Sequence, residues 1–355
     1  MMNRRTLLTG AAALSAFPMS AKARSNTKTA LVFDAMGELR TNYPASLIKE
    51  MRASGLNAIT VTLTDPKTYE LEAYETAKAA VAEHDAFIAA NPDLLLKGTA
   101  ATHADKAKEN QKIAVYYLFQ NSTQFGRDLD RVREFYDAGV RSSQLTYNYQ
   151  NWAGAGCKEK NGSGVTRFGS ELIESMNDIG MLIDLSHANE RTMLDAISMS
   201  KAPVVISHTC CMAVYENERN TSDKVLKALA DKGGVVGICQ IRPFITDARP
   251  DVALPHYFDH IDHAVNVAGI EHVAIGSDRD HRRIEMSDEY IAELKREEGE
   301  NFNIKDWPLY IDDLNGPRRM EVIWDGLRKR GYSERNVEKI MGLNVRRLYE
   351  TVIGA

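Results

Sequence analysis

Eight short apolar segments alternate regularly with amphipathic stretches along the chain, and this pattern constrains the fold more than any other feature. The segments are apolar almost throughout, as expected of parallel strands that are covered on both faces. Intervening stretches such as SELIESMNDIG and DKVLKALADKGG end in glycine, a common helix stop. The strands are predicted at residues 29–35, 57–63, 112–119, 140–147, 181–186, 203–207, 234–239 and 272–277.

This alternation predicts a closed (β/α)8 barrel of the TIM type. The alternative, a doubly wound open sheet, would be expected to carry a glycine-rich phosphate-binding loop after an early strand, and the sequence has none. In a barrel, functional side chains follow the C-terminal ends of the strands. The polar or coordinating residues at those positions are Asp34, Met36, Glu38, Gln120, Tyr147, His187, His208, Cys239 and Asp278.

Charge and length exclude two classes of partner. The 355 residues carry a formal net charge of −5, whereas a nucleic-acid-binding protein is expected to present a basic surface. No apolar segment reaches the roughly 20 residues that a membrane-spanning helix needs. We therefore expect residues 24–355 to form one barrel domain that acts on a small molecule.

The N-terminal residues have the organisation of an export signal. Arg4 and Arg5 precede an apolar stretch from Leu7 to Phe17, and small residues ending in AKA follow. The paired arginines followed by TLL favour the twin-arginine (Tat) route, with an ordinary Sec signal as the alternative. Residues 1–23 are therefore predicted to be a cleaved signal, and the mature protein is expected to act in a bacterial periplasm.

Two histidines follow neighbouring predicted strands in matching positions: His187 comes after IDLS and His208 after VVIS. Adjacent strands lie about 5 Å apart, so both imidazoles can reach one ion. Neutral imidazole nitrogen is a good zinc ligand. Asp278 ends the eighth strand, which closes back to the first, so its carboxylate can transfer a proton at the same rim. The alternative for Asp278 is a helix cap.

Several longer motifs occur in a fixed order: GVRSSQLTYNYQN, MLIDLSHANE, APVVISHT, ERNTSD, KGGVVGI and HVAIGSDRD. Together they resemble the membrane (renal) dipeptidases, the M19 metallopeptidases, over nearly the whole predicted mature chain. The resemblance implies a metallo-dependent hydrolase barrel, often a homodimer, in which two zinc ions and a bridging glutamate hold a water. That water attacks the amide of a dipeptide, frequently one with a D-residue at its C-terminal side.

The resemblance also assigns roles to particular residues. His187 and His208 correspond to the ligands of one zinc ion. Asp278 corresponds to the acidic residue that handles the proton. Arg219 in ERN corresponds to an arginine that holds the substrate or the tetrahedral intermediate, and Asn220 beside it is expected to contact substrate.

Four positions depart from the family pattern. Met36 and Glu38 in DAMGE stand where a histidine and an aspartate ligand are expected, and Gln120 in FQNS replaces the bridging glutamate. Tyr147 replaces a histidine near the scissile carbonyl and is expected to contact substrate. A thioether is a poor ligand for zinc, and a neutral amide does not offset the repulsion between two cations.

These departures predict one zinc ion rather than two. His187 and His208 would hold it, with water and with Asp278 or Glu38. The functional hypothesis is an exported metal-dependent dipeptidase-like hydrolase with an altered site. The alternative is a protein of the same fold that is diverted from dipeptide hydrolysis, either a tailoring enzyme for an exported small molecule or a non-catalytic ligand-binding protein.

The remaining histidines and cysteines are expected to be structural. His256, His260 and His263 have helical spacing in a segment far from the C-terminal strand ends. The four cysteines are too few for a disulfide framework, although one bridge could form after export and a thiolate could replace a lost ligand. They are Cys157, Cys210, Cys211 and Cys239.

Overall fold

The computed structural model describes Thr27, residues 29–298 and residues 307–355, so the predicted signal at residues 1–23 lies outside the described residues. Its centre is a parallel sheet of nine strands. The strands are β1 (Val32–Gly37), β2 (Leu56–Thr62), β3 (Leu95–Gly98), β4 (Ile113–Phe119), β5 (Val140–Gln144), β6 (Leu182–Asp184), β7 (Val205–Thr209), β8 (Val235–Ile238) and β9 (Val273–Ile275).

Eight of these strands form a closed barrel in the order β1-β2-β4-β5-β6-β7-β8-β9. Backbone hydrogen bonds just past β9 join its end to that of β1. The Asp278 N–H donates to the Met36 carbonyl over 2.9 Å, and the Glu38 N–H donates to the Arg279 carbonyl over 3.2 Å. The predicted parallel barrel is therefore confirmed, with one strand at each of the eight predicted segments.

The additional strand, β3, was not predicted from the sequence. It pairs with β4 along Ile113–Tyr116, whereas β5 pairs with β4 from Tyr117 to Phe119. The strand consists of only four residues, LLKG, which are too few to show a hydrophobic period.

Thirteen α-helices are described, most of them following a strand, as the alternation predicts. They are α1 (Ala45–Ala53), α2 (Glu70–Ala90), α3 (Thr102–Glu109), α4 (Asp130–Asp137), α5 (Arg167–Ile179), α6 (Glu190–Met199), α7 (Asp223–Asp231), α8 (Arg242–Ile245), α9 (Leu254–Ala268), α10 (Asp288–Glu298), α11 (Arg319–Lys329), α12 (Glu334–Glu338) and α13 (Asn344–Ile353). Within the described ranges, no helix combines the length and apolarity needed to cross a bilayer.

Helix α5 shows how the local sequence sets the helix ends. The Thr166 side chain accepts a hydrogen bond from the Gly169 N–H at the N-terminus. The helix ends at Gly180, whose φ of 76° lies in the left-handed region that glycine adopts without a Cβ penalty. The predicted glycine stop is therefore confirmed, and β6 begins two residues later.

The barrel interior is closed at the N-terminal ends of the strands by α13. Inward-facing residues near the strand starts, Phe33 and Tyr116 among them, pack against the Tyr349 ring of α13, with centroids 5.0 and 4.9 Å apart respectively. The Tyr349 hydroxyl also lies 2.6 Å from the Thr60 hydroxyl. Because an apolar layer and a helix fill this end, the polar side chains of the interior gather at the opposite, C-terminal end of the strands.

Candidate metal and catalytic site

Two buried aspartates fix the strand ends that carry the predicted site residues. Asp184 at the end of β6 accepts hydrogen bonds from the N–H groups of Ser186 (2.9 Å) and Ser207 (3.1 Å) through Oδ1. Its Oδ2 accepts the Ser207 hydroxyl at 2.5 Å. We call Asp184, Ser186 and Ser207 the Asp184 network. It ties β6 to β7 immediately before His208.

A second network of the same form joins β1 to β9. Asp34 Oδ1 accepts the N–H groups of Met36 (3.4 Å) and Ser277 (2.8 Å), and Oδ2 accepts the Ser277 hydroxyl at 2.5 Å. We call Asp34, Met36 and Ser277 the Asp34 network. Ser277 immediately precedes Asp278 in the sequence, just as Ser207 immediately precedes His208. Burial raises the pKa of Asp34 to about 6 despite these hydrogen bonds.

The two predicted ligands meet at the rim. His187 and His208 are buried, and their Nε2 atoms lie 3.0 Å apart. His187 has a φ of 66°, in the left-handed region, where a non-glycine residue is strained. Strain of this kind is concentrated at functional sites. The structure therefore brings together the pair that the sequence predicts.

The hydrogen bonds to Nδ1 define the tautomer of each ring. His187 Nδ1 lies 2.7 Å from Oδ1 of Asn148, which can only accept, so this nitrogen carries the proton. His208 Nδ1 lies 2.8 Å from the Ser207 hydroxyl oxygen, whose own proton goes to Asp184. Ser207 must therefore accept from His208. Both rings then direct an Nε2 lone pair at each other.

Facing lone pairs are the chemistry expected of a metal site. Two acceptors at hydrogen-bond distance repel each other unless a cation lies beside both, and two nitrogens bound to a tetrahedral zinc are about 3.3 Å apart. Burial, followed by the charge of Arg219, holds the pKa of both imidazoles well below the usual range. Neutral rings are the form that binds a metal. The pair therefore fits two ligand positions of one divalent cation.

The residues around the histidine pair offer few further metal ligands. In Thr27, residues 29–298 and residues 307–355, no three His, Cys, Asp or Glu side chains are placed to hold one ion. Met36 and Gln120 are both buried at the ends of β1 and β4, as predicted, but neither can replace a lost ligand. Glu38 is 2.7 Å from the Arg40 guanidinium. Neither Glu38 nor Asp278 joins the histidine pair as a third protein ligand in this structure.

Arg219 is buried beside the histidine pair, and its Nη2 donates to the His208 carbonyl over 2.9 Å. Its Nε and Nη1 have no hydrogen-bond partner in the described part of the chain. Burial has the largest effect on the pKa of His187, His208 and Asp278, and the Arg219 charge then lowers the pKa of all three groups. A buried guanidinium with two unpaired donors is costly, which suits an anionic group of a ligand.

Asn220 is also buried, and its amide nitrogen donates to two backbone carbonyls, those of Tyr215 and Phe244, at 2.8 Å each. The side chain thereby holds the loop that carries Arg219. Its expected contact with substrate stays a prediction, since only Oδ1 remains without a partner among the described residues.

Asp278 follows β9 with a φ of 52°, in the left-handed region. Burial raises the pKa of its carboxyl to about 7, with Glu38 and Asp34 acting in the same direction and Arg219 opposing them. The next helix, α10, begins only at Asp288, so Asp278 is not a helix cap. A carboxyl that titrates near neutral pH can both accept and donate a proton during a reaction.

The Tyr147 ring lies over His187, with centroids 4.2 Å apart and an interplanar angle of 32°. It therefore borders the histidine pair, and its expected contact with substrate stays a prediction. Asn148 beside it was not singled out from the sequence, although it follows the same strand end and holds the His187 ring. Asp184 and Ser207 were missed too. Their signal was present in the spacing of IDLSH and VISH, where a short polar side chain precedes each histidine.

Cys210, Cys211 and Cys239 are buried free thiols and belong to no metal-ligand cluster among the described residues. Cys210 and Cys239 are fully buried, and their sulfur atoms lie 3.6 Å apart as free thiols. Burial raises the pKa of Cys210 well above its usual range, so it is a thiol rather than a thiolate ligand. His260 of α9 accepts the Cys211 N–H over 3.0 Å. The structural interpretation of these residues is therefore favoured over a replacement ligand.

The fold and the rim together define a class of protein. A parallel (β/α)8 barrel with paired neutral imidazoles, an unpaired buried arginine and a carboxyl of raised pKa at the C-terminal strand ends is typical of metal-dependent hydrolases. Residues 20–291 match the sequence model of the membrane dipeptidase family, peptidase family M19. The chain belongs to this family, which is metal-dependent.

Individual relatives agree with this assignment. An uncharacterized dipeptidase of Schizosaccharomyces pombe is 32% identical over 265 residues, a match that covers 73% of this chain but only 58% of that protein. The chain thus spans little more than half the length of this curated relative. An amidohydrolase from Pseudomonas aeruginosa has a TM-score of 0.83 at 28% identity, covering 93% of this chain and 98% of the other.

A more distant solved structure shows the same fold. It is a metallopeptidase from Rhodobacter sphaeroides bound to a phosphinate mimic of the dipeptide L-Ala-D-Ala. Its TM-score is 0.75 at 19% identity, and the match covers 90% of this chain and 99% of that chain.

Proposed function

We propose that this protein hydrolyses the amide bond of a dipeptide or a related small amide, using one divalent cation, zinc in the first instance, held by His187 and His208. The observation that carries the proposal is the pair of Nε2 atoms 3.0 Å apart, both unprotonated, beside a buried arginine with free donors. Family membership supports the reaction class. The substrate class follows the R. sphaeroides relative and its bound dipeptide mimic.

The chain's own residues account for binding and proton transfer. A cation on the two imidazoles would polarise the scissile carbonyl and acidify a bound water. Arg219 has two donors, Nε and Nη1, without a partner among the described residues, and they could donate to the carboxylate of a dipeptide or to the oxygen of a tetrahedral intermediate. Asp278 takes up one proton during attack and returns it to the leaving amine, since its pKa of about 7 permits both.

The test is a hydrolysis screen with controlled metal content. Protein treated with a chelator is reloaded with Zn²⁺, Mn²⁺ or Co²⁺ and assayed on dipeptides that include L-Ala-D-Ala and L-Ala-L-Ala. We expect turnover of roughly 1–1000 per second on at least one dipeptide. Activity should saturate at one equivalent of metal, because the proposed site consists of a single pair of imidazoles, His187 and His208.

Two outcomes would contradict the proposal. Full activity in metal-free protein would remove the role of the histidine pair. Absence of turnover with every metal, combined with saturable binding of dipeptides, would favour the alternative of a family member diverted to ligand binding. The buried Met36 and Gln120 at former ligand positions are the observation behind that alternative.

We further propose that residues 1–23 export the protein through the Tat route. The support is the order of Arg4 and Arg5, the apolar stretch and AKA in the sequence. Replacing both arginines by lysine should leave the protein in the cytoplasm of a Tat-competent bacterium, while the unaltered chain reaches the periplasm. Equal periplasmic amounts of the two proteins on cell fractionation would argue for the Sec route.

A further inference from the structure

The Asp184 network joins β6 to β7 and also contacts the His208 ring through the Ser207 hydroxyl. Asp184 Oδ1 receives two backbone N–H groups, whereas Oδ2 receives the Ser207 hydroxyl at 2.5 Å and has a longer contact of 3.5 Å with the Gln144 side-chain amide. The same hydroxyl oxygen is 2.8 Å from His208 Nδ1. All of these side chains are buried, so water does not compete for the hydrogen bonds. The direction of every hydrogen bond in this series is therefore set by the ionised carboxylate at its end.

We propose that Asp184 is a positioning residue that selects the tautomer of His208 through Ser207, and thereby presents an unprotonated Nε2 to the cation. The proton of Ser207 is directed to Asp184, so the Ser207 oxygen accepts the Nδ1–H of His208. The remaining lone pair of the imidazole is then on Nε2, 3.0 Å from His187. The inference rests on the proposed function only in assuming that His208 binds a cation.

Replacing Asp184 by asparagine should reverse this series of hydrogen bonds. The amide oxygen would keep the position of Oδ1, because the Ser186 and Ser207 N–H groups point there. The amide nitrogen would then face the Ser207 oxygen and donate to it. Ser207 would give its own proton to His208 Nδ1, and His208 would carry its proton on Nε2, a form that cannot bind a metal through that atom.

The reversed series remains fully hydrogen-bonded. The new Nε2–H of His208 can donate to the Nε2 lone pair of His187, which lies at hydrogen-bond distance. The second amide proton of the asparagine faces the Gln144 side chain, whose amide can turn so that its oxygen accepts this proton while its nitrogen donates to the Gln120 and Thr146 carbonyls. Each buried donor then has an acceptor, and the Asp184→Asn protein is expected to fold. The catalytic triad of serine proteases shows a comparable effect when its buried aspartate becomes asparagine.

The Asp34 network offers a matched control. Asp34 is as buried as Asp184 and accepts the same three kinds of hydrogen bond, two from backbone N–H groups and one from a serine hydroxyl. That serine, Ser277, immediately precedes a residue of the rim. The residue after that serine is Asp278 and not a histidine. The loss of charge and the change in hydrogen bonding are thus alike, but only Asp184 is connected to an imidazole.

The primary measurement is made on metal-free protein. Long-range ¹⁵N–¹H correlation spectra at neutral pH should show His208 protonated on Nδ1 in the wild type and in Asp34→Asn. The same spectra should show it protonated on Nε2 in Asp184→Asn. Titration calorimetry with Zn²⁺ alone should give about 10- to 100-fold weaker binding for Asp184→Asn and wild-type affinity, within about threefold, for Asp34→Asn.

An unchanged His208 tautomer in Asp184→Asn would overturn the inference, as would an equal loss of Zn²⁺ affinity in both variants. If Asp184→Asn does not fold, Ser207→Ala tests the same connection, because Asp184 keeps both backbone hydrogen bonds while His208 Nδ1 loses its acceptor. A mixture of tautomers is then expected, and retention of pure Nδ1–H would count against the proposal. The proposed hydrolysis fails or succeeds separately, in the dipeptide screen.

Discussion

His208→Ala is expected to abolish stoichiometric Zn²⁺ binding and to lower metal-dependent kcat/KM by at least about 10³-fold. The reason is that two protein imidazoles hold the ion, and removal of either leaves one nitrogen ligand. Metal ions supply several kilocalories per mole of transition-state stabilisation, and about 4 kcal/mol corresponds to a factor of 10³. Metal content by elemental analysis and dipeptide turnover are measured on the same preparation.

His263→Ala is the control for His208→Ala. It removes a partly exposed histidine of α9 whose Nε2 lies 2.7 Å from Asp223 and which makes no contact with the histidine pair among the hydrogen bonds of the described residues. Metal content and turnover should match those of the wild type, since a partly exposed ion pair contributes little. If His208→Ala retained one equivalent of zinc and wild-type turnover, the histidine pair could not be the metal site.

The fold was predictable because its signal is local and repeated. A strand that is covered on both faces must be apolar, so β1, β4 and β8 can be recognised without knowing their neighbours. The glycine at the end of α5 marks a left-handed residue by its chemistry alone. Strand β3 was not predicted because a four-residue segment has too few positions to show either the helical or the strand period of hydrophobic residues.

The site was predictable only where one side chain carries the chemistry by itself. His187, His208 and Asp278 are recognisable because an imidazole or a carboxylate directly after an apolar strand can bind a metal or transfer a proton by itself. Asn148 and Ser207 act through the nitrogen of another residue, and an amide or a hydroxyl in the sequence does not indicate which ring it will face. Their roles depend on the register of β5 to β7, which the sequence does not specify to the ångström.

The second large effect concerns Asp278. Asp278→Asn is expected to lower kcat/KM by about 10²- to 10⁴-fold, because asparagine can neither accept nor return a proton during hydrolysis. Zinc affinity should change by less than about tenfold, since Asp278 does not join the histidine pair in this structure. A variant that keeps activity within about tenfold of the wild type would exclude Asp278 as the group that transfers the proton.

The same substitution should stabilise the metal-free protein in a pH-dependent way. The pKa of Asp278 is about 7 in the folded protein, against 3.8 in the unfolded chain. Between about pH 4 and pH 7 the folded state therefore binds a proton that the unfolded state releases, and the free energy of unfolding falls as the pH rises. Above pH 7 the full cost of ionising this desolvated carboxyl remains, about 4 kcal/mol for a pKa difference of about three units. Because an asparagine side chain never ionises, Asp278→Asn should match the wild type near pH 4 and exceed it by this amount at pH 8.

Asp280, two residues after Asp278, provides a control because its pKa is shifted in the opposite direction. Burial alone would raise the pKa of its carboxyl, but Arg282 and Tyr43 donate hydrogen bonds to the carboxylate and hold that pKa at about 2. Its stabilising contribution is present above about pH 4 and is lost as the pH falls towards 2. Asp280→Asn should therefore destabilise the protein at pH 7, where Asp278→Asn stabilises it. Urea unfolding of both variants and the wild type, with a chelator present at pH 2.5, 4, 6 and 8, measures the two slopes. Parallel curves for Asp278→Asn and the wild type between pH 4 and pH 8 would show that Asp278 does not have the raised pKa that the proposed proton transfer requires.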